Sequence, residues 1–371
     1  MTKRNYEIEF WRLIAALEVV VLHSYKIFGH KVFMPYGSMA VEFFLLLSGY
    51  FFAVSVFRDK REFSPLTIGR ETWEFTWKKI KGFIYVFIIG FILCLIGTGI
   101  KNPRFFLSLK FPMSIFDFLM LAESGIPFHT VIGADWYLSA MLIAMFILYP
   151  IFRYKKEIFS YIISPILGIG ILGILFMANG YVNKGASTSM IICTNNVLRA
   201  IAEICLGVVA YRFSEKLKQA KLSKIQIFLL SILDIASVCG AYATMYLMDD
   251  YDYQALIIFL FFLFIIISTS GRAKITGLFK QKPCEYMGKL SLSLYLSHTF
   301  TRATIITLKG KIPALNAFYD TDDTKLQLIG LLIFVVSSLV VAMIVLPASK
   351  KLEKLIMKLK DRHDSSAVTE P

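Results

Sequence analysis

Long apolar stretches alternate with short basic ones along this chain. Runs without Asp, Glu, Lys or Arg include 43–57, 82–100, 136–152, 158–183, 253–271 and 326–349. A helix that crosses a bilayer needs about 20 mainly apolar residues. Adding the more polar blocks gives ten predicted helices, near 8–28, 37–57, 77–100, 135–153, 158–178, 195–212, 226–247, 253–271, 286–308 and 326–347. The runs are continuous, whereas strands of a membrane barrel would alternate apolar and polar positions. The expected fold is therefore an all-α integral membrane protein, a bundle of about ten transmembrane helices. The first apolar stretch holds Arg12, Glu18 and His23 and does not read as a cleavable signal. Between the third and fourth spans, 101–134 has room for a short re-entrant or interfacial helix around 113–123. No internal repeat is evident, which argues against an inverted-repeat transporter.

Composition removes the soluble alternatives. Hydrophobic residues make up 57% of the 371, Phe alone provides 33, and charged residues are only 18%. A soluble surface needs more charge than that, and a disordered chain needs far less apolar content. Five cysteines, at 94, 193, 205, 239 and 284, are odd in number and scattered, so they do not form a disulfide framework.

Charge orients the bundle. With the N-terminus inside, 28 of the 40 Lys and Arg fall in inner segments and nine at the outer side, while Arg12, Arg199 and Arg302 fall within spans. That bias follows the positive-inside rule and places both termini in the cytoplasm. It also assigns the net charge of +14 to loops facing anionic lipid rather than to nucleic-acid binding. Residues 1–350 read as the transmembrane domain and 351–371 as a short basic cytoplasmic tail, disordered from about Asp361.

Ionisable residues inside a membrane helix are costly, and each is a functional candidate. Glu9 and Arg12 are three apart and share a face of the first helix. Arg12 and His23 are eleven apart, about 16 Å along the same face. One polar stripe thus runs from the inner end to the outer half. Structural glue and function explain it equally well: Arg12 can simply pair with Glu9, and His23 can bond a neighbouring helix. Ser48-Gly49 in the second helix permits close backbone approach, and Glu42 lies at a depth similar to His23. Arg199 and Glu203 form an i, i+4 pair, His298 and Arg302 share a face of the ninth helix, and Asp234 has no visible partner. Trp136-Tyr137 reads as an interfacial aromatic pair. The phosphate-loop, H-E-x-x-H and G-x-S-x-G motifs are absent, and the histidines are too scattered for a zinc set, so no metal is expected.

Read in order, these residues resemble the acyltransferase-3 family of polytopic membrane acyltransferases. The matching positions are Glu9, Arg12 and His23 in the first helix; Phe43 to Tyr50, of the F-F-x-x-S-G-[FY] type, in the second; Trp136, Leu138, Tyr149 and Pro150 in the fourth; Arg199 and Leu206-Gly207 in the sixth; and the G-K-x-S-x-x-x-Y-L-x-H run Gly288 to His298 in the ninth. The similarity covers roughly 6–347. Two positions depart from the family pattern. Ser139-Ala140-Met141-Leu142 stands where many relatives carry acidic residues, and Lys78, Lys79 and Lys81 replace an arginine-rich motif. A fused outer hydrolase-like domain, present in some relatives, is not expected.

The resemblance implies a multi-pass enzyme of the cytoplasmic membrane. It moves an acyl group, most often acetyl, from cytoplasmic acyl-CoA to a hydroxyl of a cell-envelope glycan or related small acceptor. Acyl-CoA is a donor substrate, and no permanently bound cofactor is implied. His23 is then a general base or a transient acyl carrier. Arg12, oriented by Glu9, places the donor with Lys78, Lys79 and Lys81. Ser48, Tyr50 and His298 are candidates to stabilise the oxyanion, and Trp136 and Arg199 join the expected binding residues. The runner-up is a transporter or exporter of a lipid-linked glycan, which needs no nucleophile; a sensory or scaffold protein is a third option.

Overall fold

The computed structural model describes residues 4–29, 31–125, 130–182, 189–190, 193–247, 251–274, 277, 279 and 281–367. His30, His129 and Lys184 lie outside the described residues, as does the side chain of His363. The chain is helical nearly throughout. Helix α1 (Tyr6–His23) is followed by α2 (Ala40–Arg58), α3 (Ile68–Lys81) and α4 (Ile84–Lys101). Two single turns, α5 (Lys110–Met113) and α6 (Ile115–Phe118), precede α7 (Trp136–Tyr154). A break at Lys155 leads into the short α8 (Lys156–Ile158), which continues through a π turn into α9 (Ser164–Asn179). Then come α10 (Asn195–Gln219), α11 (Lys224–Leu247), α12 (Gln254–Ser270), α13 (Gln281–Lys311), α14 (Pro313–Tyr319) and α15 (Thr324–Ala367). The extended pairing among the described residues is a two-residue ladder, Ser189–Met190 against Cys193–Thr194.

A helix occupies each predicted span. Six stretches among the described residues are long and apolar enough to cross a membrane: Gly37–Arg58, Ile84–Lys101, Trp136–Tyr154, Lys156–Asn179, Lys224–Leu247 and Thr324–Asp361. Helix α12 is equally apolar but has 17 residues. Helices α1, α10 and α13 carry the ionisable groups of interest and are correspondingly less apolar.

Three expectations change. The third predicted span, 77–100, divides at Gly82 into α3 and α4, because the Lys-rich segment before Gly82 has its own amphipathic periodicity. Lys78, Lys79 and Lys81, counted above with the inner segments, therefore lie on a helix of their own. The last helix does not fray at Asp361 but continues to Ala367. The outer stretch forms the turns α5 and α6, pinned by buried Asp117, whose Oδ2 accepts hydrogen bonds from Val131 N and Ile132 N at 2.7 and 3.2 Å.

Two helix pairs organise the interior. Helix α1 runs along α13, which also packs against α4 and α15. Helix α2 runs along α10, which in turn packs on α7, α9 and α12. Glycine makes both contacts close. A Cβ at Gly49 would collide with the Ile204 backbone, one at Gly207 with the Leu46 backbone, and one at Gly288 with the Glu9 carboxylate. The Ser48-Gly49 step is thus a packing contact at Gly49. Around these axes Phe43, Phe52, Phe87, Phe261 and Phe264 are fully buried.

Candidate active site

The polar stripe of α1 faces α13 along its length. Asn5 starts α1, its side chain accepting from Glu7 N and Ile8 N at 3.1 and 3.2 Å. Glu9 then holds two guanidinium groups, Arg12 at 3.0 Å and Arg4 at 2.9 Å, and Arg4 also reaches Glu285 of α13 at 2.8 Å. Arg12 lines a cavity of about 220 Å³ together with Phe44, Lys79, Tyr137, Ser291 and Tyr295.

Farther along the stripe, His23 meets His298. His298 Nε2 lies 3.1 Å from His23 Nδ1, with ring centroids 4.9 Å apart. Backbone carbonyls fix both tautomers, since a carbonyl can only accept. His298 Nδ1 lies 2.8 Å from Tyr295 O and carries a proton, so its Nε2 offers a lone pair. His23 Nδ1 lies 2.9 Å from Val19 O and carries a proton shared between that carbonyl and His298 Nε2. His23 Nε2 is then the unprotonated nitrogen. His298 is fully buried while His23 is part-exposed, so the free lone pair belongs to the accessible ring. Arg302, one turn beyond His298 on α13, acts electrostatically on both rings.

At the basic end of the bundle a second cavity, of about 590 Å³, lies between the end of α2, α3 and α7. Arg58, Arg61, Lys78, Lys79, Phe75 and Tyr149 contribute to its lining. Arg153, fully buried, donates to Glu71 at 3.0 Å and to Arg61 O at 2.9 Å and so ties the Arg61 backbone to α3. Burial would raise the Glu71 carboxyl, but hydrogen bonds from Thr67 and Arg153 outweigh it and hold it below its ordinary value. Hydrogen bonds from Arg61 bring the Asp59 carboxyl down to about 2. Arg61 is occupied by Asp59 and Glu74. Arg58, Lys78 and Lys79 have no carboxylate partner among the described contacts; Lys79 Nζ instead lies 5.3 Å over the Phe75 ring. Lys79 lines both cavities and joins them.

The other expected site residues divide into two groups. Ser48 Oγ bonds Tyr137 OH at 3.1 Å and so borders the Arg12 cavity. Tyr50 does not: it packs on Tyr211 of α10, with centroids 5.6 Å apart. Lys81 is directed over Trp77 and lines neither cavity. Trp136 lies under the Arg199 guanidinium, 5.1 Å from it. Arg199 bonds Glu42 of α2 and lies 3.7 Å from Glu203, all three fully buried. Glu42 is the partner that the i, i+4 reading omitted. Asp234 also has a neighbour, facing Glu7 of α1. Tyr137, Tyr295, Ser291, Arg58 and Arg61 were not expected. Ser291 and Tyr295 stand inside the Gly288–His298 signature, and each falls on the His298 face at helical spacing. Tyr137 was masked by the reading of Trp136-Tyr137 as an interfacial aromatic pair.

The structure is thus a multi-pass helical bundle with an imidazole pair between α1 and α13, an Arg12 cavity beside the same two helices and a basic cavity that shares Lys79 with it. The family model described as an acyltransferase domain matches residues 5–346. The chain belongs to the acyltransferase-3 family. No curated protein and no solved structure matches the chain.

Proposed function

We propose that this protein transfers an acetyl group from cytoplasmic acetyl-CoA to a hydroxyl of a cell-envelope glycan or related acceptor. The reading takes ten membrane spans with both termini in the cytoplasm, in line with the charge bias, and places the enzyme in the cytoplasmic membrane. The observation that carries it is the imidazole pair, in which only His23 Nε2 is both unprotonated and on an accessible ring.

The donor is anionic at one end and thioester-bearing at the other. Its diphosphate suits the larger cavity, where Arg58, Lys78 and Lys79 have charge to spare. Its long neutral arm then passes Lys79 into the Arg12 cavity, toward Tyr295 and the histidine pair. His23 Nε2 takes the proton of the acceptor hydroxyl as that oxygen attacks the thioester carbonyl. Arg302 supplies positive charge where the oxyanion forms. The new C–O bond closes as the C–S bond breaks, and the departing thiolate recovers the proton from His23. No metal or resident cofactor enters this balance. His298 touches no substrate; it is a positioning residue that accepts from His23 Nδ1 and grips the imidazolium formed during attack.

Inside-out vesicles supplied with labelled acetyl-CoA should transfer label to an enclosed acceptor, and His23→Ala at normal protein level should abolish transfer. Donor use only from the opposite face would overturn the proposed sidedness. Relocation of a glycan without any change in its acetyl content would favour export over transfer.

A further inference from the structure

A third cleft, of about 370 Å³, opens beyond the basic cavity and shares Arg61 with it. Its lining includes Phe63, Tyr154, Lys155, Lys156 and Glu157, around the break between α7 and α8. Resting on the donor reading above, we infer that this cleft takes the 3′-phosphoadenosine end of the coenzyme A donor.

The first argument is order. The cavities form a series joined by single residues: the Arg12 cavity meets the basic cavity at Lys79, and the basic cavity meets this cleft at Arg61. Their chemistry changes along that series from aromatic and buried, to strongly basic, to basic with aromatic faces. The donor changes in the same order, from thioester and neutral arm, to diphosphate, to a phosphorylated ribose bearing a purine.

The second argument is the distribution of charge. Arg153 is committed to Glu71, and Arg61 to Asp59 and Glu74. Glu157 is engaged by Arg212 and does not neutralise the cleft. Lys156 Nζ donates to Asp59 O at 2.7 Å, which leaves further N–H groups for an anion. Lys155 is exposed and its ammonium makes no hydrogen bond or ion pair among the described contacts; its Nζ lies 5.6 Å over the Tyr154 ring. The cleft therefore has charge for one phosphate. Beside it stand Phe63 and Tyr154, edge to face at 5.1 Å, with Tyr154 59% exposed, an aromatic surface of the kind that packs against a purine once the mobile Lys155 ammonium turns to the phosphate.

The test compares acetyl-CoA with acetyl-dephospho-CoA, which lacks only the 3′-phosphate, on the full-length protein in proteoliposomes. The wild type should prefer acetyl-CoA by about tenfold in kcat/KM, the scale of one charge-assisted contact. Lys155→Ala should bring that ratio close to one, and Lys155→Arg should restore most of it. Tyr154→Ala should raise KM for both nucleotide donors while keeping their ratio. Lys354→Ala, a charge change on α15, should leave the ratio at the wild-type value. Lys155 is exposed, so these variants carry little risk to folding. A wild type that does not distinguish the donors would overturn the assignment. So would a Lys155→Ala variant that loses the same factor with both, or one whose ratio holds while its dependence on anionic lipid changes, which would give the cleft to headgroups. Absence of any saturable coenzyme A binding would instead overturn the donor reading itself, and this subsite with it.

Discussion

Replacing His298 separates a positioning role from a catalytic one. His23 Nδ1 has two acceptors, Val19 O at 2.9 Å and His298 Nε2 at 3.1 Å. His298→Ala removes the second and keeps the first, so the tautomer that frees Nε2 survives. What is lost is the grip on the imidazolium during attack. A neutral hydrogen bond contributes about 0.5–1.5 kcal/mol and a charged one about 1.5–3 kcal/mol. The difference, about 1–1.5 kcal/mol, corresponds to roughly tenfold in kcat. Looser ring placement should extend the loss to between about tenfold and a hundredfold, the range found for hydrogen-bond partners that orient metal-bound histidines. KM for the acetyl donor should stay within about twofold, because His298 lines neither the basic cavity nor the Arg12 cavity. His298 is fully buried, and truncation leaves a void costing a few kcal/mol, so protein level must be measured alongside rate. His298→Gln fills most of that space and offers an acceptor oxygen, and it should recover part of the rate. The assay is acetyl transfer in proteoliposomes with kcat and KM resolved. A wild-type kcat in His298→Ala would refute the positioning argument. A loss beyond about ten-thousandfold at normal protein level, unrescued by Gln, would make His298 itself the base.

Two further predictions concern the framework. Arg199→Met leaves Glu42 and Glu203 buried without their cation and should cost about 3–5 kcal/mol, read as loss of monodisperse protein in detergent; adding Glu42→Gln and Glu203→Gln should recover much of it. A single variant as stable as the wild type would show that the guanidinium is dispensable there. Just outside α7, burial and the facing Asp117 hold the Asp135 carboxyl well above its ordinary value, so the folded protein keeps a proton that the unfolded chain releases. Stability should therefore decline as pH rises above the unfolded carboxylate value of about 4, until the folded group also ionises. Asp135→Asn, which mimics the protonated form, should flatten the dependence of Tm on pH across that range, and an unchanged slope would refute the assignment.

What a single helix encodes can be read from its own residues. Apolar run length placed most of the helices, and the more polar blocks between them supplied the rest, since backbone in lipid must satisfy its own hydrogen bonds. Helical periodicity put Glu9, Arg12 and His23 on one face, and the ion pair Glu9–Arg12 follows directly from that spacing. The same reasoning failed where the partner is remote in sequence. His298 is 275 residues from His23, and Glu42 is 157 from Arg199, distances over which periodicity carries no information. Spacing put Arg302 on the His298 face but could not tell that His23 would stand opposite, nor that Tyr50 would face α10. Nor could it show that Lys78 and Lys79 would stand on a helix of their own and line a cavity with Arg58 and Tyr149. The Gly288–His298 run signalled that α13 mattered. Only its packing along α1, made close by the absence of a side chain at Gly288, turned two isolated imidazoles into a pair whose hydrogen bonds leave one nitrogen free.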